Sequence, residues 1–201
     1  MKEIRKKTTY FLLFSVLLFN LSCNKDETSV ALKKHFSNEQ INDLKLIHSF
    51  FITEHLNGLK KKFKEEFYLF NKARFNKQLE LYNSISQTTF DEVWIMVPQK
   101  KYEDEKYIAL NMKGKFIYYL KGLTKNDFAK TISNKLELAG DLNYSYIYSY
   151  VFNNYKSFDF ENYDNQLIIS VCYLTMLDGN FRKDTQRDDS IRRELRNQTK
   201  S

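Results

Sequence analysis

His48 and His55 lie seven residues apart, which puts both on one face of a helix. Imidazole pairs that hold zinc on a helix are usually four residues apart, so this pair reads first as packed side chains at the edge of a core. A metal-dependent enzyme or hydrolase using His48 and His55 is the enzymatic alternative. His35, the third histidine, stands alone. The chain has no HExxH, no GxSxG, no Walker loop and no GxGxxG. Its 5 glycines are scattered at positions 58, 114, 122, 140 and 179 and cannot build a phosphate cradle. No catalytic residue, metal ligand or cofactor-binding residue is therefore assigned, and no cofactor is expected.

Two further clusters invite a binding reading. Lys60-Lys61-Lys62-Phe63-Lys64 could meet lipid headgroups, phosphates or nucleic acid, but Glu65 and Glu66 follow at once and damp the field. A solvated helix face with Lys–Glu pairs is the simpler reading. Tyr144, Tyr146, Tyr148 and Tyr150 could stack on a carbohydrate or on aromatic groups. Tyrosine also fills core edges, and packing is the simpler reading here too. Cys172 sits in the apolar run Leu167–Leu174 and reads as a buried small hydrophobe.

What positions these groups is a chain of 201 residues with 42% hydrophobic and 28% charged residues, ordinary for one domain. With 1 Pro, 5 Gly and 2 Cys it is neither a Pro-rich or collagen-like chain nor a disulfide scaffold. Lys2, Arg5, Lys6 and Lys7 precede an uncharged stretch, Tyr10–Leu21. A basic segment followed by about 7–15 apolar residues describes a secretory signal peptide. The stretch is short of the roughly 20 residues a membrane-spanning helix needs.

The segment ends Leu21-Ser22-Cys23. This resembles a bacterial lipoprotein signal with a relaxed lipobox, over residues 1–27 only. The resemblance implies cleavage after Ser22 and acylation of Cys23, which becomes the first residue and the membrane anchor. More than one acyl chain is what makes such an anchor durable. Lys25-Asp26-Glu27 is similar to the surface-export signal of some Gram-negative lipoproteins, and reads equally as a charged solvated linker. Cleavage removes four basic residues and one acid, so the formal charge falls from +7 to +4. That supports solubility more than a nucleic-acid groove, and no nucleic-acid partner is expected.

The remaining pattern is helical. Asn24–Lys34 reads as a polar spacer. Ser37-Asn38-Glu39-Gln40 is a capping box ahead of an apolar stripe from Ile41 to Leu56. A second helical stretch runs from Leu59 to Ile85, with a bend expected near Asn71–Asn76. Thr88-Thr89-Phe90-Asp91 reads as a capping box opening a short helix that Pro98 ends. Tyr107–Leu120 fits either a helix or a hairpin turning at Lys113-Gly114, with helix favoured. Thr124–Asp127 reads as the cap of a helix closed by Gly140. Asn143–Tyr155 and Asp164–Leu177 follow as helices, the last apolar nearly all round and central.

The expected fold is all-α, an irregular or antiparallel bundle of five to seven helices, with α+β carrying a hairpin at 107–120 as the alternative. The expected organisation is a signal peptide over 1–22, a lipidated tether over 23–36, a helical domain over 37–178 and a charged flexible tail over 179–201. The expected function is a membrane-anchored envelope lipoprotein in the outer membrane, with exposure at its surface as the further expectation. It would carry a non-enzymatic interaction domain with a protein partner. An immunity or inhibitor lipoprotein acting against a secreted toxin is the alternative within that class.

Overall fold

A computed structural model describes residues 30–55, 72–99, 102–140, 144–154 and 156–179. The fold is mostly α, with one two-stranded antiparallel hairpin. Helix α1, Val30–His35, puts Leu32 into the core. Helix α2, Asn38–Phe50, opens on the expected capping box: Gln40 N donates to Ser37 Oγ at 3.3 Å and Ser37 N donates to Gln40 Oε1 at 3.1 Å. Ile41, Leu44 and Ile47 form its buried stripe. The helix widens into one π-turn, Phe51–His55, which carries Phe51 and His55 inward.

The next described helix, α3 (Lys72–Ser84), leads into α4 (Gln87–Val93). Strands β1 (Trp94–Gln99) and β2 (Tyr102–Leu110) follow. Helices α5 (Lys115–Gly122), α6 (Asp127–Ala139) and α7 (Tyr144–Asn153) come next. Helix α8 covers 163–179. Its residues from Leu167 to Gly179 are buried in every direction, as an apolar helix without a polar face requires. The other elements hang on it through side-chain hydrogen bonds. Gln78 of α3 donates to Leu174 O at 2.8 Å, and Trp94 Nε1 donates to Thr175 Oγ1 at 2.7 Å. Ile108 N of β2 donates to Asp178 Oδ1 at 2.8 Å.

That last bond explains the hairpin. Residues 94 and 110, and 96 and 108, face each other in the register, and Asn111 N donates to Val93 O. The amides of Met96 and Ile108 therefore point away from the partner strand. Asp178 satisfies the β2 side. On the β1 side Trp94 N donates to Phe90 O, and Pro98 has no amide to offer. The outer edge of β1 is thus nearly stripped of donors, which discourages edge-to-edge pairing.

Several sequence expectations change in detail. The helix expected from Thr88 to Pro98 is α4 only as far as Val93. From Trp94 the chain is strand, with Pro98 at an edge position. Its cap is Ser86, not Thr88, because Ser86 N and Oγ both donate to the buried carboxylate of Asp43, at 3.1 and 2.7 Å. The 107–120 stretch divides: Tyr107–Leu110 is strand, 111–114 is a turn, and helix starts at Lys115. The hairpin pairs Trp94–Gln99 with Tyr102–Leu110 and does not reverse at Lys113-Gly114. Helix α6 is capped by Asn126, not Thr124, because Ala129 N donates to Asn126 Oδ1 at 3.0 Å. Gly140 closes it in the left-handed conformation, φ 66°. Residues 30–36 of the stretch expected as a tether over 23–36 belong to the domain, because Leu32 and Phe36 are core residues. The Leu59–Asn71 part of the second helical stretch and the tail beyond Gly179 lie outside the described residues.

Candidate functional site

A groove of about 1040 Å³ opens where α1, the α5–α6 turn, α7 and the segment leading into α8 meet. Each wall is fixed by a local rule. Asn126 caps α6 with its oxygen and donates through Nδ2 to Asn165 Oδ1 at 2.7 Å. Asn165 donates through Nδ2 to Asp159 O at 2.9 Å. Asp159 accepts the amides of Glu161 and Asn162 at 3.0 and 3.2 Å, a side-chain-closed turn. Asn162 accepts the amide of Asn165 at 3.1 Å and so caps the start of α8. Tyr119 donates its hydroxyl to Asp164 at 2.6 Å.

The aromatic floor comes from three elements. Phe128 of α6 lies 5.2 Å from Tyr150 of α7 and 5.1 Å from Phe158, edge-on in the second case. Phe128 is buried, while Tyr150 and Phe158 remain half-buried and face the groove. The α1 side supplies Lys34 and His35, and the α5–α6 turn supplies Lys125. His35 Nε2 is a buried atom with no hydrogen-bond partner in the protein. It rests beside Gly122, where a Cβ would come within 3.3 Å of it. Burial, and then the charge of Lys34, lowers the His35 pKa below its ordinary 6.5. The imidazole is therefore neutral at neutral pH.

Of the residues that sequence reasoning singled out, Tyr150 and His35 line the groove, and the other described ones lie elsewhere. His48 Nε2 donates to Gln166 Oε1 at 2.6 Å, and its ring lies 4.9 Å from that of Tyr163. His55 is buried among Phe50, Phe51 and Tyr173, with ring centroids 5.0–5.7 Å away. The two imidazoles meet α8 at 166 and 173, so their seven-residue spacing matches a seven-residue spacing on the helix they pack against. Among the described residues no three His, Cys, Asp or Glu side chains gather as a metal-holding group. Of the tyrosine run, Tyr150 reaches the groove and Tyr146 lies under the Lys135 ammonium, 4.5 Å from the ring centre. Cys172 is fully buried and its thiol pKa is pushed far up by that burial. Cys23, Lys25, Asp26, Glu27 and Lys60–Lys64 lie outside the described residues.

The groove was not visible as a motif. Its residues come from four separate stretches, and a net of Asn and Asp side chains joins two of them, around Asn126 and over 159–165. The only sequence signal was the density of Asn and Asp over 153–165, which by itself spells turns. No protein-family model matches the chain, and no curated protein and no solved structure matches it either. Among the described residues no helix is long and apolar enough to cross a membrane.

Proposed function

We propose that the chain is a lipid-anchored cell-envelope protein whose folded domain works by binding rather than by chemistry. The anchor is Cys23 in the relaxed lipobox Leu21-Ser22-Cys23, and Lys25-Asp26-Glu27 is the candidate signal for export to the outer surface. A partner in the envelope engages the domain; a protein is the expectation from the sequence.

The observation that carries the binding reading is the groove. Two of its three acids are committed to structure, Asp164 to the Tyr119 hydroxyl and Asp159 to turn amides, while Asp127 is exposed beside Lys130. Groups already holding one another make a rigid recognition surface, because little ordering is left to oppose binding.

Two measurements test the two halves separately. The wild-type chain should incorporate labelled palmitate and partition into detergent, and Cys23→Ser should do neither. Label retained in the variant, or absent from the wild type, overturns the anchor. For the groove, Thr124→Leu with Ser157→Leu places two branched apolar side chains on its exposed walls. Crosslinking in intact envelopes should capture a ligand with the wild type and lose it with the double variant. Undiminished capture by the double variant overturns the groove as the binding site.

A further inference from the structure

We infer that the groove is a saccharide-binding site, which takes a neutral oligosaccharide of several rings. The inference rests on the reading of the groove as the binding site.

Charge comes first. Lys34 and Lys125 are offset by Asp127, Asp159 and Asp164 within the same lining. Such a lining sets up no strong field of either sign, so it does not select a polyanion or a polycation. It does offer donors and acceptors side by side, and a hydroxyl, being both at once, needs that arrangement. The side-chain amides and carboxylates are planar and held in place by the Asn126–Asn165–Asp159 chain and by Tyr119 on Asp164.

The aromatic floor comes second. Tyr150 and Phe158 leave part of their rings open to the groove. A sugar ring presents hydroxyls at its rim and C–H bonds on its face. Open aromatic faces beside planar polar groups match both kinds of surface in one ligand. A purely apolar ligand would cover the hydrogen-bonding capacity these walls have left without using it, at a cost for each group so covered.

The third observation is His35, which lines the groove beside Gly122. Its Nε2 is buried against Gly122, and the neutral imidazole adds wall without adding charge. Finally, a volume of about 1040 Å³ lies just above the roughly 300–1000 Å³ of small-molecule sites, too large for one ring to fill.

The test uses the full chain in detergent and an immobilised panel of neutral oligosaccharides of three to six rings. The panel contains glucose-, mannose-, galactose-, xylose- and N-acetylglucosamine-based series, with polygalacturonate as the charged control. At least one neutral series should bind with a Kd below about 1 mM. Tyr150→Ala should weaken it roughly tenfold or more. Thr124→Leu with Ser157→Leu should do the same from exposed positions, which covers the case of a Tyr150 variant that does not fold. Leu138→Ala, exposed on α6 away from the groove, should bind like the wild type. A parallel arm uses the Cys23→Ser chain with phospholipid vesicles carrying or lacking a monogalactosyl lipid. Binding to free sugar alone, or only to sugar on lipid, identifies the source, and either supports the inference. No binding to any neutral saccharide, binding to polygalacturonate only, or affinity unchanged in both groove variants overturns it. Groove-dependent capture of a protein, with no saccharide bound, would remove the inference and leave the binding reading standing.

Discussion

His48 Nε2 donates to Gln166 Oε1 at 2.6 Å, joining α2 to the first turn of α8. Gln166 in turn donates to Phe160 O, so one imidazole steadies the segment that forms the groove wall. One heptad on, His55 fills an aromatic pocket against Tyr173. A pair of histidines whose spacing is unlike that of a zinc pair thus acts as two pegs between helices. The first peg bears on the groove from behind.

Gly114→Ala should be among the most damaging single substitutions. The backbone there is ordinary, φ −81°, but an added Cβ would lie 2.2 Å from Glu92 O. Backbone must move to admit it, at a cost of about 3 kcal/mol. Gly140→Ala meets no atom within 4 Å and is strained only by its φ of 66°, so it should cost about 1 kcal/mol. Urea unfolding of the two variants should rank them in that order.

Thr175→Val should strand the Trp94 indole. Thr175 Oγ1 accepts from Trp94 Nε1 at 2.7 Å and passes its own proton to Val171 O at 2.7 Å. Valine keeps the shape and removes the acceptor, leaving a buried N–H unpaired at a cost of about 1–3 kcal/mol. Trp94 is the chain's 1 tryptophan, so its emission should shift to shorter wavelength together with the loss of stability.

Cys172 should be inert in the native protein. Burial disfavours the thiolate, which is the reacting species. Alkylation by iodoacetamide at pH 8 should proceed only in denaturant, while a Cys23→Ser background removes the other thiol. Rapid native labelling would show that the core around α8 opens readily.

Stability should decline in mild acid, partly through His35. Its pKa in the folded state lies below the unfolded value of 6.5, chiefly through burial and secondarily through Lys34. The unfolded chain therefore binds the proton more readily, so stability rises with pH across that window. The contribution is complete above about 6.5 and is lost as pH falls through the lowered folded value. His35→Gln should flatten the melting-temperature profile between pH 5 and 7, and an unchanged slope would assign the effect to other groups.

Much of the helical fold could be read directly. The Ser37 box, the Gly140 stop and the all-round apolar character of α8 are local signals, and each took the expected form. The misplacements share one cause: a distant partner chose among local candidates. Ser86, Thr88 and Thr89 can all cap a helix, and buried Asp43, over forty residues away, selects Ser86. Thr124 and Asn126 compete likewise, and Asn165 holds Asn126. The β-hairpin lacks an Asn-Gly or Asp-Gly turn, and its first strand carries apolar residues that also suit a helix. What favours a strand there is Asp178 on the amide of Ile108. The groove was illegible for the same reason, since it is a product of long-range Asn and Asp pairing.

Because Leu32 is sunk in the core, Val30–His35 belongs to the domain, and Val30 itself lies at the groove. Six residues, Asn24–Ser29, separate Val30 from Cys23, and seven Cα-to-Cα steps span about 25 Å at most. Under the proposed acylation of Cys23, the groove would be confined to a thin layer above one leaflet. Anything displayed in that layer would be met at an effective concentration on the order of millimolar. Modest intrinsic affinity would then suffice for steady occupancy, and a freely diffusing copy of the same domain would bind the same ligand only weakly.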